Sequence, residues 1–270
     1  MNFIAQFLAV FILAIGAAAA AIGPAAKFGV IDHGVAAGYL VQIAMPAVIA
    51  AALSVPVIAY AFWRGGPSLQ VLGLLAGLIA VPVAGALIQM KLAADAHPFI
   101  HDITTDFDDP PRIRAGADAP RSNPPSYDRT APVPGNSDLT LAQAQANGYP
   151  EIEALIVEAP MEAVFAEAQR AIDVLGVEVI QKGPSTGIQS SDDGGPKGGE
   201  WRIEAIATSP WFGFTDDFIV RIREVPGIEP MVRIDMRSKS RVGMSDLGAN
   251  AARIAEFRRL LKDRLDRLGS

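Results

Sequence analysis

The sequence contains no cysteine, which removes disulfides, thiolate metal centres, iron–sulfur clusters and thiol nucleophiles together. Histidine is almost as scarce: His33, His97 and His101 are the whole supply, so nothing beyond residue 101 offers the commonest general base. Charge is nearly missing from the first third, where Lys27, Asp32 and Arg64 are the only formally charged residues in positions 1–90. An excess of basic residues is also lacking. The chain has 23 Lys and Arg against 29 Asp and Glu, a net charge of −6, which argues against a nucleic-acid partner whose phosphates must be neutralised. No P-loop, Rossmann fingerprint or nucleophile elbow stands in its strand–turn–helix context; residues 185–187 and 194–199 read as loops.

The charge-poor third is instead a succession of long apolar runs. Residues 3–22, 34–63 and 65–90 are each long enough, at about 1.5 Å per helical residue, to cross about 30 Å of hydrocarbon. The first run reads as a retained helix rather than a cleaved signal, because residues 1–6 lack Lys and Arg and two more runs follow. Gly73, Ala76, Gly77, Ala80 and Ala84 form a narrow stripe that allows close helix–helix approach. Pro46, Pro56 and Pro82 are expected to bend their helices. Gln42 and Gln89 suit helix–helix hydrogen bonding, and the absence of ionisable groups inside the runs speaks against an ion pathway. Three spans place the two chain ends on opposite sides of a bilayer. Arg64 on one side against Lys27 and Lys91 on the other leaves charge counting undecided.

Three segments follow from this: a transmembrane anchor at 1–91, a juxtamembrane and proline-rich strap at 92–150, and an α+β domain at 151–270. The strap holds eight of the chain's twenty prolines between 108 and 150 and shows no apolar period, which predicts a long irregular segment, draped on the domain or partly free. In the domain, residues 151–157 read as a strand. Pro160 opens a helix and Gly176 closes it. Residues 177–182 read as another strand, followed by a loop containing Asp192, Asp193, Gly194 and Gly195. Then come three alternating segments: Trp201, Ile203, Ala205 and Ala207; Phe218, Val220 and Ile222; Val232, Ile234 and Met236. Their opposite faces carry Arg202, Glu204, Arg221, Arg223, Arg233, Asp235, Arg237 and Lys239, and alternation of this kind predicts one packed face and one wet face. Ser245 suits the N-cap of a last helix running to Leu268, with Gly269 ending it. The fold class is therefore a membrane-anchored α+β protein: three transmembrane helices, then an antiparallel sheet gripped by two helices in the order β-α-β4-α, an arrangement of helix-grip or TATA-binding-protein-like kind.

Residues 101–106 (HDITTD), Pro110–Pro111, Tyr149–Pro150, 212–217 (FGFTDD) and above all 232–250 (VRIDMRSKSRVGMSDLGAN) with Arg253 and Ile254 resemble the domain of unknown function 1499 family over residues 100–270. That family is named for its missing function, so the resemblance implies no reaction. It implies an exported domain, hence a multi-pass protein of a bacterial inner (plasma) membrane with its C-terminal domain in the periplasm.

Two constellations carry possible chemistry. His97 and His101 with Asp102 and Asp106 invite a metal reading, but Pro98 breaks the helical spacing and no further imidazole or thiolate completes a shell. The alternative is that His101, Asp102 and the threonines hydrogen-bond the strap. The second set is Asp216, Asp217, Arg221, Arg233, Asp235, Arg237, Ser238, Ser240, Arg241, Asp246, Asn250 and Arg253. It reads as a structural ion-pair network, as a contact site for an anionic ligand or partner, or as an acid–base site. Adjacent Asp216 and Asp217 point to opposite faces of a strand, which weakens the last. Arg237, in mid-strand, is expected to serve structure, and Arg241, in the loop before Ser245, to serve contact. No cofactor, metal or catalytic residue is assigned. The favoured function is a membrane-anchored binding or assembly module contacting a protein partner or an amphiphile, without nucleic acid. The alternative is a hydrolase or transferase using the charges around Asp216–Asp217 and 237–246.

Overall fold

The computed structural model describes residues 2–185, 199–228 and 230–268. The loop expected at 192–195 and the terminating Gly269 lie outside them. The chain forms two compact units, one of Met1–Ala96 with Ser209–Gly213, the other of His97–Thr208 with Phe214–Ser270.

The first unit is three helices, α1 (Asn2–Lys27), α2 (His33–Arg64) and α3 (Pro67–Ala96). At 26, 32 and 30 residues each exceeds the length needed to cross a bilayer. Asp32 caps α2 by accepting from the Gly34 N–H at 2.6 Å. The small-residue stripe is buried as its spacing predicts: Gly73, Ala76, Gly77, Ala80 and Ala84 all face inward. A Cβ at Gly77 would stand 2.9 Å from Ile58, and one at Gly16 would stand 3.2 Å from Ala80, so these glycines set how closely the helices approach. Gln42 and Gln89, expected between helices, are exposed instead. Within this unit Lys27 Nζ donates to the Pro210 carbonyl at 2.8 Å.

The second unit is built on one antiparallel sheet. Its strands are β1 (Asp102–Thr104), β4 (Leu155–Glu158), β5 (Glu178–Pro184), β6 (Glu200–Thr208), β7 (Thr215–Glu224) and β8 (Met231–Ser240). Their order is β1-β8-β7-β6-β5, and β4 shares the β8 edge with β1. The helices are α5 (Met161–Leu175) and α6 (Ala249–Leu268). Pro160 stands at the N-cap of α5 and Gly176, at φ 72°, turns the chain out of it. The core lies on the face predicted by alternation. Ile203, Phe218, Val220, Ile222, Val232, Ile234 and Met236 pack with Val164, Phe165 and Ile172 of α5 and Ile254, Phe257 and Leu261 of α6. Phe218 meets Phe257 edge-on at 5.4 Å, and half-buried Trp201 meets Phe165 at 4.7 Å.

Three expectations change. First, residues 97–150 are not an irregular strap throughout. They supply β1 to the sheet, a small antiparallel pair β2 (Pro132–Val133) and β3 (Asn136–Thr140), and helix α4 (Leu141–Gly148). Thr140 and Gln143 cap α4 reciprocally, a local signal that a scan for apolar period passes over. Second, α6 begins at Ala249 rather than near Ser245. The chain first turns through Leu247, at φ 53°, and Gly248, at φ 86°. The Asp246 carboxylate accepts from the N–H groups of Gly248 at 2.9 Å and Asn250 at 3.1 Å, so Asp246 takes the capping role assigned to Ser245. Third, the polar face of the sheet is not wet. Arg202, Glu204, Arg221, Asp235, Arg237 and Lys239 are all buried, because residues 105–130 lie across them.

Candidate functional site: a covered layer of charge

Strand alternation divides the charged residues into two groups. On the core face, at the end of β7 and β8, Asp216 pairs with Arg253 of α6 at 2.8 Å. Arg253 and Asn250 Oδ1 both meet the Ser238 hydroxyl at 2.7 Å, and Asn250 donates to Ser240 Oγ at 3.0 Å and to the His101 carbonyl at 3.1 Å. This cluster joins the sheet to the start of α6. Burial pushes the Asp246 carboxyl above the usual range, and nearby Asp216 adds to the shift, against the two N–H bonds that the carboxylate accepts.

On the other face the sheet and the strap are interlocked. Asp102 of β1 takes Arg237 in bidentate fashion, at 2.9 and 2.8 Å, and Lys239 at 2.8 Å. Cross-strand register places these partners together, since Asp102 stands opposite Lys239 and Thr104 opposite Arg237. Burial raises the Asp102 carboxyl, but Arg237 and Lys239 outweigh it and hold the group below its usual value. Burial and the neighbouring Arg237 and Arg121 lower Lys239. Burial and Lys239 lower His101, whose Nδ1 faces the Met244 carbonyl. The Arg237 guanidinium lies 5.4 Å from the Tyr127 ring of the strap.

Toward the middle of the face, Asp235 meets Arg221, Arg223 and Arg233 at 3.0, 3.0 and 2.9 Å. Asp109 bonds to Arg221 and Arg223, and Asp106 to Arg233. Three guanidiniums thus share three carboxylates, two of which come from the strap. Asp217 takes Arg241 at 2.7 Å and Arg121 of the strap at 2.7 Å. Gly116 makes this approach feasible, because a Cβ there would stand 2.6 Å from Asp217 Oδ1. Glu204 accepts from the backbone N–H groups of Arg114 at 3.0 Å, Ala115 at 2.8 Å and Gly116 at 3.4 Å, and from Arg202 at 2.6 Å.

The constellation read from the sequence is therefore real as a neighbourhood but two-sided. Asp217, Arg221, Arg233, Asp235, Arg237 and Arg241 join Asp102 and Asp106 under the strap. Asp216, Ser240, Asn250 and Arg253 lie across the sheet. Arg241, expected to serve contact, is half-buried and paired with Asp217. His97 is occupied elsewhere than His101: its ring lies tilted against Tyr149 at 5.8 Å and beside Gly248. Sequence reasoning missed Arg121, Asp109 and Gln145. Gln145 of α4 completes the sheet edge by accepting from the Thr104 N–H at 3.0 Å and donating to its carbonyl at 2.6 Å. A single polar residue in an Ala- and Gln-rich helix carries no signal of that role. Arg121 and Asp109 lie where no period exists to place them.

An antiparallel sheet with two helices on one face and a charged, covered second face, preceded by three apolar helices, defines the class of this protein. The family model described as "Protein of unknown function (DUF1499)" matches residues 102–261, and the chain belongs to that family. No curated protein and no solved structure matches it.

Proposed function

We propose that the chain is a membrane-anchored binding or assembly module, its three apolar helices spanning a bacterial inner membrane and its C-terminal domain standing in the periplasm, where it contacts a protein partner or an amphiphile. The observation that carries this reading is the pairing of three span-length helices with a domain whose charged residues are committed to one another. Arg237, Arg221 and Asp217 hold the strap on the sheet, which supports an architectural role for the motif. The two helices packed on one antiparallel sheet suit a helix-grip or TATA-binding-protein-like fold. The alternative of a hydrolase or transferase has less support, because Asp216 and Asp217 diverge to opposite faces and each is neutralised by arginine.

Purification of the full chain in mild detergent, with identification of the proteins and lipids that accompany it, tests the reading directly. A stoichiometric companion supports it, and turnover of small ester, phosphate or glycoside substrates by the lone protein overturns it. Orientation is tested separately. Alkaline phosphatase fused after Ser270 is expected to be active, and fluorescence from a reporter that folds only in the cytoplasm would reverse the assignment.

A further inference from the structure

A groove of about 310 Å³ lies between α1 and α2, lined by Ile4, Ala5, Leu8, Pro56, Val57 and Tyr60. That volume is at the lower end of pockets that hold small ligands, about 300–1,000 Å³. Apart from Tyr60 the lining is aliphatic, and the exposed Tyr60 Oη donates to Asn2 Oδ1 at 3.0 Å. Tyr60 and Arg64 are four residues apart on α2, so they share a helix face, with Arg64 about 6 Å further along the axis. The Arg64 guanidinium stacks on Trp63 at 4.6 Å, and among the described residues no carboxylate lies within ion-pair distance of it. Amphipathic Trp and Tyr side chains of this kind settle at the headgroup level of a bilayer.

From the hollow outward the groove thus presents hydrocarbon, then a hydroxyl–amide pair, then an uncompensated cation. An anionic glycerophospholipid presents the complementary order of acyl chain, ester linkage and phosphate. We propose that this groove is a binding site for one anionic phospholipid, with an acyl chain against Ile4, Ala5, Leu8 and Val57, the ester region at the Asn2–Tyr60 pair and the phosphate on Arg64. The proposal rests on the reading of these helices as membrane spans and is separate from any amphiphile bound by the C-terminal domain.

The test is native mass spectrometry of the full-length chain, released from detergent after equilibration with equimolar phosphatidylglycerol and phosphatidylcholine. One retained phosphatidylglycerol, at least several-fold in excess over phosphatidylcholine, is expected. Arg64→Gln should abolish the preference while leaving some lipid bound. Ala5→Phe, which places a ring in the groove, should remove both lipids. Should Ala5→Phe fail to give a helical monomer, the loss of preference in Arg64→Gln decides alone. Equal retention of the two lipids by the unaltered chain, or a preference unchanged in Arg64→Gln, overturns the site. So does a lipid-free dimer, which would make a second copy the occupant. Flotation of the same protein with liposomes after carbonate washing separates the two layers of the argument. A chain that fails to float defeats the spanning reading itself, whereas one that floats but shows no preference defeats only the groove.

Discussion

Arg237 is the clearest case of a residue whose worth depends on a partner that no local pattern names. Its side chain is 1% exposed and that of Asp102 is 2% exposed, so removing either leaves a charge in a place that water does not reach. Breaking a buried pair from one side costs about 3–5 kcal/mol. Arg237→Ala in residues 97–270 should lower the urea midpoint, by less than that figure implies because Lys239 still pairs with Asp102. The pH dependence follows from the same contact. Because Asp102 titrates below its ordinary value in the folded chain, its contribution is present above the unfolded carboxyl value, about 3.9, and is lost as pH falls through the folded one. The urea midpoint should therefore drop on acidification below about pH 4 in the parent. In Arg237→Ala, where Lys239 alone opposes burial, that drop should shrink; an unchanged profile would assign the acid sensitivity elsewhere. Arg241→Ala belongs with it, losing stability through Asp217 rather than binding alone. Gln145→Leu is a sharper probe of a neutral contact. It strands the Thr104 N–H and carbonyl, at about 1–3 kcal/mol for each buried orphan, and hydrogen exchange at Thr104 should quicken with it.

Among the elements, the strap and the sheet depend on each other. Three consecutive N–H groups of the strap converge on Glu204, and Gly116 brings its backbone against Asp217. Gly116→Ala should push this stretch off the sheet. Over-packing of this kind costs about 1–3 kcal/mol, and limited proteolysis is expected to open new sites between 105 and 130 while the sheet persists. Cleavage confined to other loops would show that the strap accommodates the methyl group. On the opposite face the packing is ordinary apolar contact. Phe218→Ala should cost about 3–5 kcal/mol through the cavity left beside Phe257, measured as a fall in melting temperature, and an unchanged melting temperature would place the core elsewhere. The two faces thus differ in kind: one is held by shape, the other by a ladder of ion pairs that acid weakens.

For the molecule as a whole, the two units have separate interiors. Ile12, Ala50, Val57, Ala76 and Ala80 form the centre of one, and Phe218, Ile234 and Phe257 that of the other. Residues 97–270 expressed alone should therefore fold as a soluble monomer with a single cooperative unfolding transition, read by circular dichroism and tryptophan fluorescence together. Starting instead at residue 151 should fail, because β1, Asp102, Gln145 and the strap are then missing from the sheet. A fragment 151–270 as stable as 97–270 would make the covered charge layer dispensable.

Periodicity was enough to read much of this protein. Three uncharged runs of span length, the order of strands and helices from 151 onward, the inward face of β6, β7 and β8 and the small-residue stripe of α3 are each repetitive, and repetition survives in a linear string. Alternation also implied that Asp216 and Asp217 diverge, which the pairing with Arg253 on one side and Arg121 and Arg241 on the other reproduces. What alternation does not encode is whether a polar face meets water. A row of guanidiniums is satisfied equally by solvent or by the carboxylates and carbonyls of a covering segment, and the segment that covers this one, residues 105–130, is proline-rich and without period. The burial of Arg237 and the insertion of β1 beside β8 depend on contacts between residues more than a hundred positions apart. Three-dimensional packing selects those contacts, because only there do the net cost of burying each charge and the geometry of its partner meet.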